Sequence, residues 1–257
     1  MSVALLDLPR PAGEPWSDPA SYWAARSAAI SGLSGPVASI DLEALRFNAM
    51  DLVVRSGGVS IRVASKSIRV REVLDATLAV PGYRGILAFT LPEALWLARD
   101  HDDVVLGYPT VDRAALQTLV HDEDAAARIT LMVDDAAQLD VVDAVASPSA
   151  RARVRVAIDA DASWRSPVLG HIGVRRSPVH EPGEVTRLAR AIVGRAGFDL
   201  VGLMMYEAQI AGQPDDTGFG DGIIRWVQPR SRQELLSRRG AIAVALRQGG
   251  AVESTTG

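Results

Sequence analysis

The chain has 257 residues, 48% hydrophobic and 23% charged, with no Cys and a formal net charge of −4 at pH 7. That balance builds a globular core and excludes fibrous and disordered classes; without Cys there is no disulfide, no Cys-ligated zinc or iron–sulfur site and no thiol nucleophile. A mildly acidic chain also lacks the positive field that a phosphate backbone requires, so the expected partner is a small molecule and not nucleic acid.

In chain order, Met1 to Pro15 shows no basic stretch leading into an apolar run, which predicts no signal peptide and a cytoplasmic protein. No apolar run approaches the roughly 20 residues needed to cross a bilayer, so no membrane association is expected. Residues 1–35 are rich in Pro, Gly, Ser and Ala and read as a lead-in segment with one helix over Asp18 to Ile30. From residue 36 to 257 strand-length apolar runs recur: 37–42, 60–65, 85–89, 103–107, 129–133, 153–158 and 200–205. Helical patterns alternate with them over 42–55, 68–78, 92–99, 111–121, 135–145, 182–196 and 231–246, several opening on Asp, Ser or Pro.

Alternation of this kind predicts parallel strands covered by crossover helices, an α/β fold. No G-x-G-x-x-G follows the first strands and no G-x-x-x-x-G-K-[ST] occurs, so the nucleotide-binding open sheets lose their main support. A (β/α)8 barrel of the TIM type, usually about 250 residues, is the predicted architecture, with functional groups at the C-terminal ends of strands. Lys66, Asp134, Asp159, Tyr206 and Glu207 follow predicted strands, and His101 precedes one.

Lys occurs once, at Lys66; the other 26 of the 27 basic residues are Arg. Arg replaces Lys wherever a solvated charge suffices, but it cannot serve as an amine nucleophile. The segment Ser60-Ile61-Arg62-Val63-Ala64-Ser65-Lys66-Ser67 places the one amine at a strand mouth, where it is able to attack a carbonyl and form a Schiff base.

A strand ending in Lys66, a strand-end Asp159 followed by His171-Ile172-Gly173-Val174-Arg175, and Gly202-Leu203-Met204-Met205-Tyr206 come in this order. That order resembles the fold-type III pyridoxal-phosphate enzymes, above all the D-threonine aldolase and D-serine dehydratase branch (amino acid deaminase/aldolase), and more distantly the N-terminal barrel of alanine racemases. The resemblance covers residues 36–257. It implies a barrel of the alanine racemase N-terminal kind and pyridoxal 5'-phosphate as cofactor, with Lys66 as its internal aldimine and as a base at the substrate α carbon. It implies Tyr206 as a second catalytic group beside the cofactor. His171 stands nearest the place where the family has an Arg close to the cofactor's phenolic oxygen, with Arg175 and Arg165 nearby. Gly249, Gly250 and Thr255 lie where the family has its phosphate loop. The implied activity is that of a lyase on D-amino acids, with a homodimer as the implied assembly. The other readings are a non-catalytic single-barrel protein that binds pyridoxal phosphate, or an inactive truncated remnant.

The sequence is expected to depart from the family: the C-terminal β domain, which carries a divalent-metal site in the full-length relatives, and its metal ligands are read as absent, and the barrel reads as incomplete at its C-terminus. Asp215, Asp216 and Asp221 sit in a Gly-rich stretch whose spacing is not that of an EF-hand, and they read as a solvated insertion. His180, beside Glu181 and Pro182, reads as a turn. No G-x-S-x-G is present, which weighs against a serine hydrolase.

Overall fold

A computed structural model of the chain describes residues 9–216, 218 and 221–248. The chain divides into two compact units, Met1–Leu87 and Ala88–Gly257.

In the first unit α1 (Pro19–Ile30) is capped by the Asp18 carboxylate, and α2 (Leu42–Arg55) by Asp41, which accepts from the backbone N–H groups of Glu43 at 2.9 Å and Ala44 at 3.0 Å. That cap corrects the strand predicted over 37–42. Val37 and Ile40 are exposed, the segment pairs with nothing as a strand, and Asp41 spends its side chain on the helix start instead. Then come β1 (Ile61–Ala64), the single-turn α3 (Ser65–Ile68), α4 (Arg71–Leu78) and β2 (Tyr83–Ala88). β1 and β2 run parallel, with Ile61 opposite Tyr83 and Ala64 opposite Leu87. Ala49 of α2 and Ala76 of α4 form a small core with Leu45, Val80 and Tyr83, whose hydroxyl donates to the Ala49 carbonyl at 2.9 Å.

The second unit runs α5 (Leu91–Leu97), β3 (Val104–Leu106), α6 (Arg113–His121), α7 (Glu123–Arg128), β4 (Ile129–Val133), α8 (Ala137–Val145) and β5 (Val154–Asp161). It continues with β6 (Trp164–Ser166), β7 (Gly170–Ile172), α9 (Pro182–Val193), β8 (Phe198–Tyr206), α10 (Ala208–Ala211) and α11 (Asp221–Gln248). Strands β3, β4, β5 and β8 pair in that order, all parallel. All five residues of β4 are buried, as expected of a parallel strand covered on both faces. Helix α9 opens on Pro182 with a reciprocal capping box between Glu181 and Glu184, and turns Val185, Leu188, Ala189 and Ile192 inward.

Two features were not anticipated. The antiparallel hairpin of β6 and β7 pairs Arg165 with His171; its three-residue strands are too short and too polar to show a period. Helix α11 begins at Asp221, within the Gly-rich stretch read as an insertion, and continues through Pro229. The parallel α/β architecture is as the sequence predicts. Among the described residues the parallel strands number two in one unit and four in the other, short of the eight of a closed barrel.

Candidate active site at the strand ends

Lys66 follows β1 directly, on the turn of α3, and is exposed. The turn is held from below: Ser65 is buried and its hydroxyl donates to the Leu87 carbonyl at 3.3 Å, while Arg69 closes the turn with a left-handed backbone at φ 57°. The one amine of the chain is thus carried on a short, pinned element at the C-terminal end of a parallel strand.

The second unit brings several polar residues to the same ends of its strands. Gly107 and Tyr108 follow β3, Asp134 follows β4, Asp159 and Asp161 close β5, and Tyr206 closes β8. Arg176, from the loop after the β6–β7 hairpin, joins them. Its Nε donates to Asp159 Oδ2 at 2.7 Å and its Nη2 to the Gly107 carbonyl. Its guanidinium lies 4.6 Å from the centre of the Tyr108 ring and 5.6 Å from that of Tyr206, and Phe89 meets Tyr108 edge-on at 5.6 Å.

Asp159 is 1% exposed, and its Oδ1 has no partner. Burial pushes its carboxyl up to about 6; the Arg176 guanidinium pulls the other way, and the charges of Asp134 and Asp161 add to the rise. Asp161 instead accepts from the Ser163 hydroxyl at 2.7 Å and backbone N–H at 3.2 Å.

Behind this layer lies a buried scaffold. His180, read from sequence as a turn, is 2% exposed; its Nε2 donates to the Ser163 carbonyl at 2.9 Å and its Nδ1 lies 2.8 Å from Glu181 Oε1. Arg238 of α11 donates to the carbonyls of Asp161 at 2.7 Å, Ser163 at 3.0 Å and His180 at 3.2 Å, and to Glu234 at 2.7 Å. Gln209 donates to the Ala162 carbonyl at 2.7 Å. Gly173 is required where it stands: at φ 136°, a Cβ there would lie 2.3 Å from Ser163 Oγ.

Of the residues singled out from sequence, Tyr206 is half-exposed at the end of β8 and faces Arg176. His171 sits on β7 with a buried Nε2 that has no partner. Arg175 is exposed, with φ 43° and its backbone N–H on Ser163 Oγ at 3.3 Å. Arg165 is more than half exposed, 3.7 Å from Glu181. The arginine brought to Tyr206 is Arg176, which sequence reasoning missed; the only signal was its place beside Arg175, downstream of the strand-end Asp159. Gly249, Gly250 and Thr255 lie outside the described residues. Among the described residues no group of three or more His, Asp and Glu could hold a metal ion, and no helix is long and apolar enough to cross a membrane.

Within each unit, polar residues collect at the C-terminal ends of parallel strands, where barrel enzymes carry their functional groups: a lone amine in the first unit, an Arg–Asp pair among tyrosines in the second. Residues 40–228 match the family described as alanine racemase, N-terminal domain, and the chain belongs to that family. Its resemblance to the fold-type III pyridoxal-phosphate enzymes therefore holds. Among solved structures it is similar to the D-threonine aldolase of Filomicrobium marinum, with a TM-score of 0.62, 19% identity, and 84% of this chain and 53% of that one covered. A D-threo-3-hydroxyaspartate dehydratase from Delftia sp. HT23 follows, with a TM-score of 0.56, 23% identity and coverage of 85% and 53%. The chain thus spans about half the length of the structures it matches. No curated protein matches it.

Proposed function

We propose that the chain binds pyridoxal 5'-phosphate through Lys66 and acts as a lyase on a D-amino acid, as an aldolase or dehydratase. The observation that carries this reading is the single lysine, exposed on a pinned turn at the end of a parallel strand in a chain otherwise purged of lysine. Each unit offers a feature in keeping with the cofactor: in the first, a primary amine at a strand end able to hold a carbonyl, and in the second, His171 Nε2, a buried polar atom without a partner. When bound, the cofactor supplies an electron sink for a bond at the amino acid's α carbon.

The chain's own residues would hold and orient. Lys66 Nζ would hold the cofactor covalently and, once displaced, take a proton at the α carbon. Tyr206 is the second catalytic group, and His171 and Arg175 belong to the cofactor's surroundings. Gly249, Gly250 and Thr255 are proposed to supply phosphate contacts, since backbone N–H groups of a Gly-rich loop form an anion nest. Residues 36–257 are taken as one barrel domain after a lead-in segment at 1–35. A small amino acid substrate, a homodimer and a cytoplasmic location belong to the same proposal.

The test is chemical: mix the protein with pyridoxal phosphate, reduce with borohydride and locate the pyridoxyl group by peptide mass. A pyridoxyl group on Lys66, lost in Lys66→Ala, is the expected result, followed by release of glycine or ammonia from D-threonine or D-serine. A Lys66 adduct without turnover would replace the lyase with a non-catalytic cofactor-binding protein. Folded protein that gives no adduct would refute both.

A further inference from the structure

We infer that the cleft at the N-terminal ends of β4, β5 and β8 is a second ligand site, one that takes a short monocarboxylate on the Arg155 guanidinium. The cleft is formed within the second unit, at the opposite end of these strands from Asp159 and Tyr206, and its role does not depend on the function proposed above. Along β5, Arg155 stands about 13 Å of strand away from Asp159.

Arg155 is a costly residue where it stands. Val154 and Val156 on either side of it are fully buried, and a parallel strand covered on both faces ordinarily reads as an unbroken apolar run. Arg155 interrupts that run and is itself partly buried. Register sets Thr130, Arg155 and Asp199 side by side on three neighbouring strands, and therefore on one face of the sheet. Asp199 is the carboxylate placed to neutralise Arg155, but Arg153 holds both of its oxygens through Nε at 3.0 Å. Among the described residues Arg155 keeps one hydrogen bond, from Nε to Thr130 Oγ1 at 3.4 Å. Its terminal nitrogens have no described acceptor, and no described carboxylate lies within ion-pair distance of it. A partly desolvated guanidinium with open donors is stabilised by any anion that can reach it.

The space for such an anion exists. Arg155 lines a cleft of about 380 Å³, the size of a small-molecule site, together with the small apolar side chains of Ala126, Ala127 and Ala152. Charge decides the class of ligand. Of the ionised groups on the cleft, Arg153 and Asp199 neutralise one another, which leaves Arg155 and Glu123, with no ion pair between them. A dianionic phosphate would set two negative charges beside Glu123 for one open guanidinium. A monocarboxylate brings one charge, and its plane matches the guanidinium fork. The alanines suit a short apolar body behind the carboxylate.

The experiment is an NMR titration of the isotope-labelled full chain with sodium butyrate at constant ionic strength, with butyramide and inorganic phosphate as comparison probes. Wild type is expected to show saturable butyrate shifts centred on the amides of Ala126, Ala127 and Ala152, with butyramide bound about tenfold more weakly, the scale of a charge-assisted contact. Arg155→Gln should weaken butyrate about tenfold and abolish its advantage over the amide. Ala127→Phe, at an exposed position, leaves Arg155 in place but fills the cleft, and should weaken butyrate several-fold. The exposed control Arg187→Met should bind as wild type does. Melting curves accompany each variant; if Arg155→Gln does not fold, Ala127→Phe carries the test. No saturable binding by wild type, equal binding of acid and amide, or unchanged butyrate affinity in either folded cleft variant would overturn the inference. Phosphate bound more tightly than butyrate would overturn the assignment of the ligand as a monocarboxylate.

Discussion

The paired strands β5 and β8 carry an arginine–aspartate pair at each end, and the two pairs behave in opposite ways. At the C-terminal ends Arg176 meets Asp159, with side chains 16% and 1% exposed; at the N-terminal ends Arg153 meets Asp199, with side chains 62% and 43% exposed. Arg153 grips its partner with Nε 3.0 Å from both carboxylate oxygens, while Arg176 reaches one oxygen only. Hydrogen bonding from Arg153 holds the Asp199 carboxyl below its usual range, whereas burial drives Asp159 up to about 6 despite its arginine. The same two residue types thus give a solvated brace at one end and a buried, one-sided pair with a raised carboxyl at the other. Burial decides which, because desolvation penalises the charged form more than a one-sided contact repays.

The contrast breaks most visibly through the scaffold behind Asp159. Arg238→Ala would take the guanidinium from the carbonyls of Asp161 and His180 and from that of Ser163, which keeps its bond from His180 Nε2, and we expect a loss of about 3 kcal/mol in urea unfolding. If Arg238→Ala cost no more than a surface arginine, the C-terminal end would not be the rigid, buried region described. Gly173→Ala comes next. Its Cβ would lie 2.8 Å from the Ser163 Cα at a backbone angle of φ 136°, and about 2 kcal/mol of destabilisation is expected, also by urea unfolding. Because Ser163 Oγ also holds the Arg175 N–H, the same variant should disturb the loop that delivers Arg176.

Much of this end was legible in the sequence. The β-branched runs around Ile129 and Val154 announced parallel strands, Pro182 announced the start of α9, and the strand-end rule singled out Asp159 and Tyr206. Arg176 was not legible. Side by side, Arg175 and Arg176 are equivalent letters, and only the φ of 43° at Arg175 and the hairpin before it turn one outward and the other onto Asp159. His180 was hidden for a related reason: Glu181 and Pro182 signal a chain reversal, but burial of the ring follows from the Ser163 carbonyl, a contact between loops. The strand predicted over 37–42 failed because Asp41 had a stronger local use as a cap than the segment had for a ladder.

The pH dependence of stability sharpens the comparison further. The folded Asp159 carboxyl keeps its proton to about 6, while the ordinary value is 3.8. Proton binding therefore favours the native state: the contribution is fully present below about 4 and is lost as pH rises toward about 6. Urea midpoints of wild type should fall over that window relative to Asp159→Asn, which carries no such titration. Parallel curves for the two proteins would show that Asp159 is not the buried, raised carboxyl described.

The smallest expected effect belongs to the other end, and its sign is the informative part. Arg153→Ala removes an exposed pair whose worth is at most about 1 kcal/mol and is screened by salt. Because Asp199 is held below 3.8 in the folded chain, its contribution is present above that value and lost as pH falls, the reverse of Asp159. Arg153→Ala should therefore cost little at pH 7 in high salt, slightly more in low salt, and nothing once the carboxyl is protonated. A large, salt-independent loss would mean that the guanidinium is valued for its bond to the Phe198 carbonyl, 2.8 Å from Nη2, and not for its charge. In that case the N-terminal end would be braced through the backbone, as Arg238 braces the C-terminal end, and exposure alone would not separate the two.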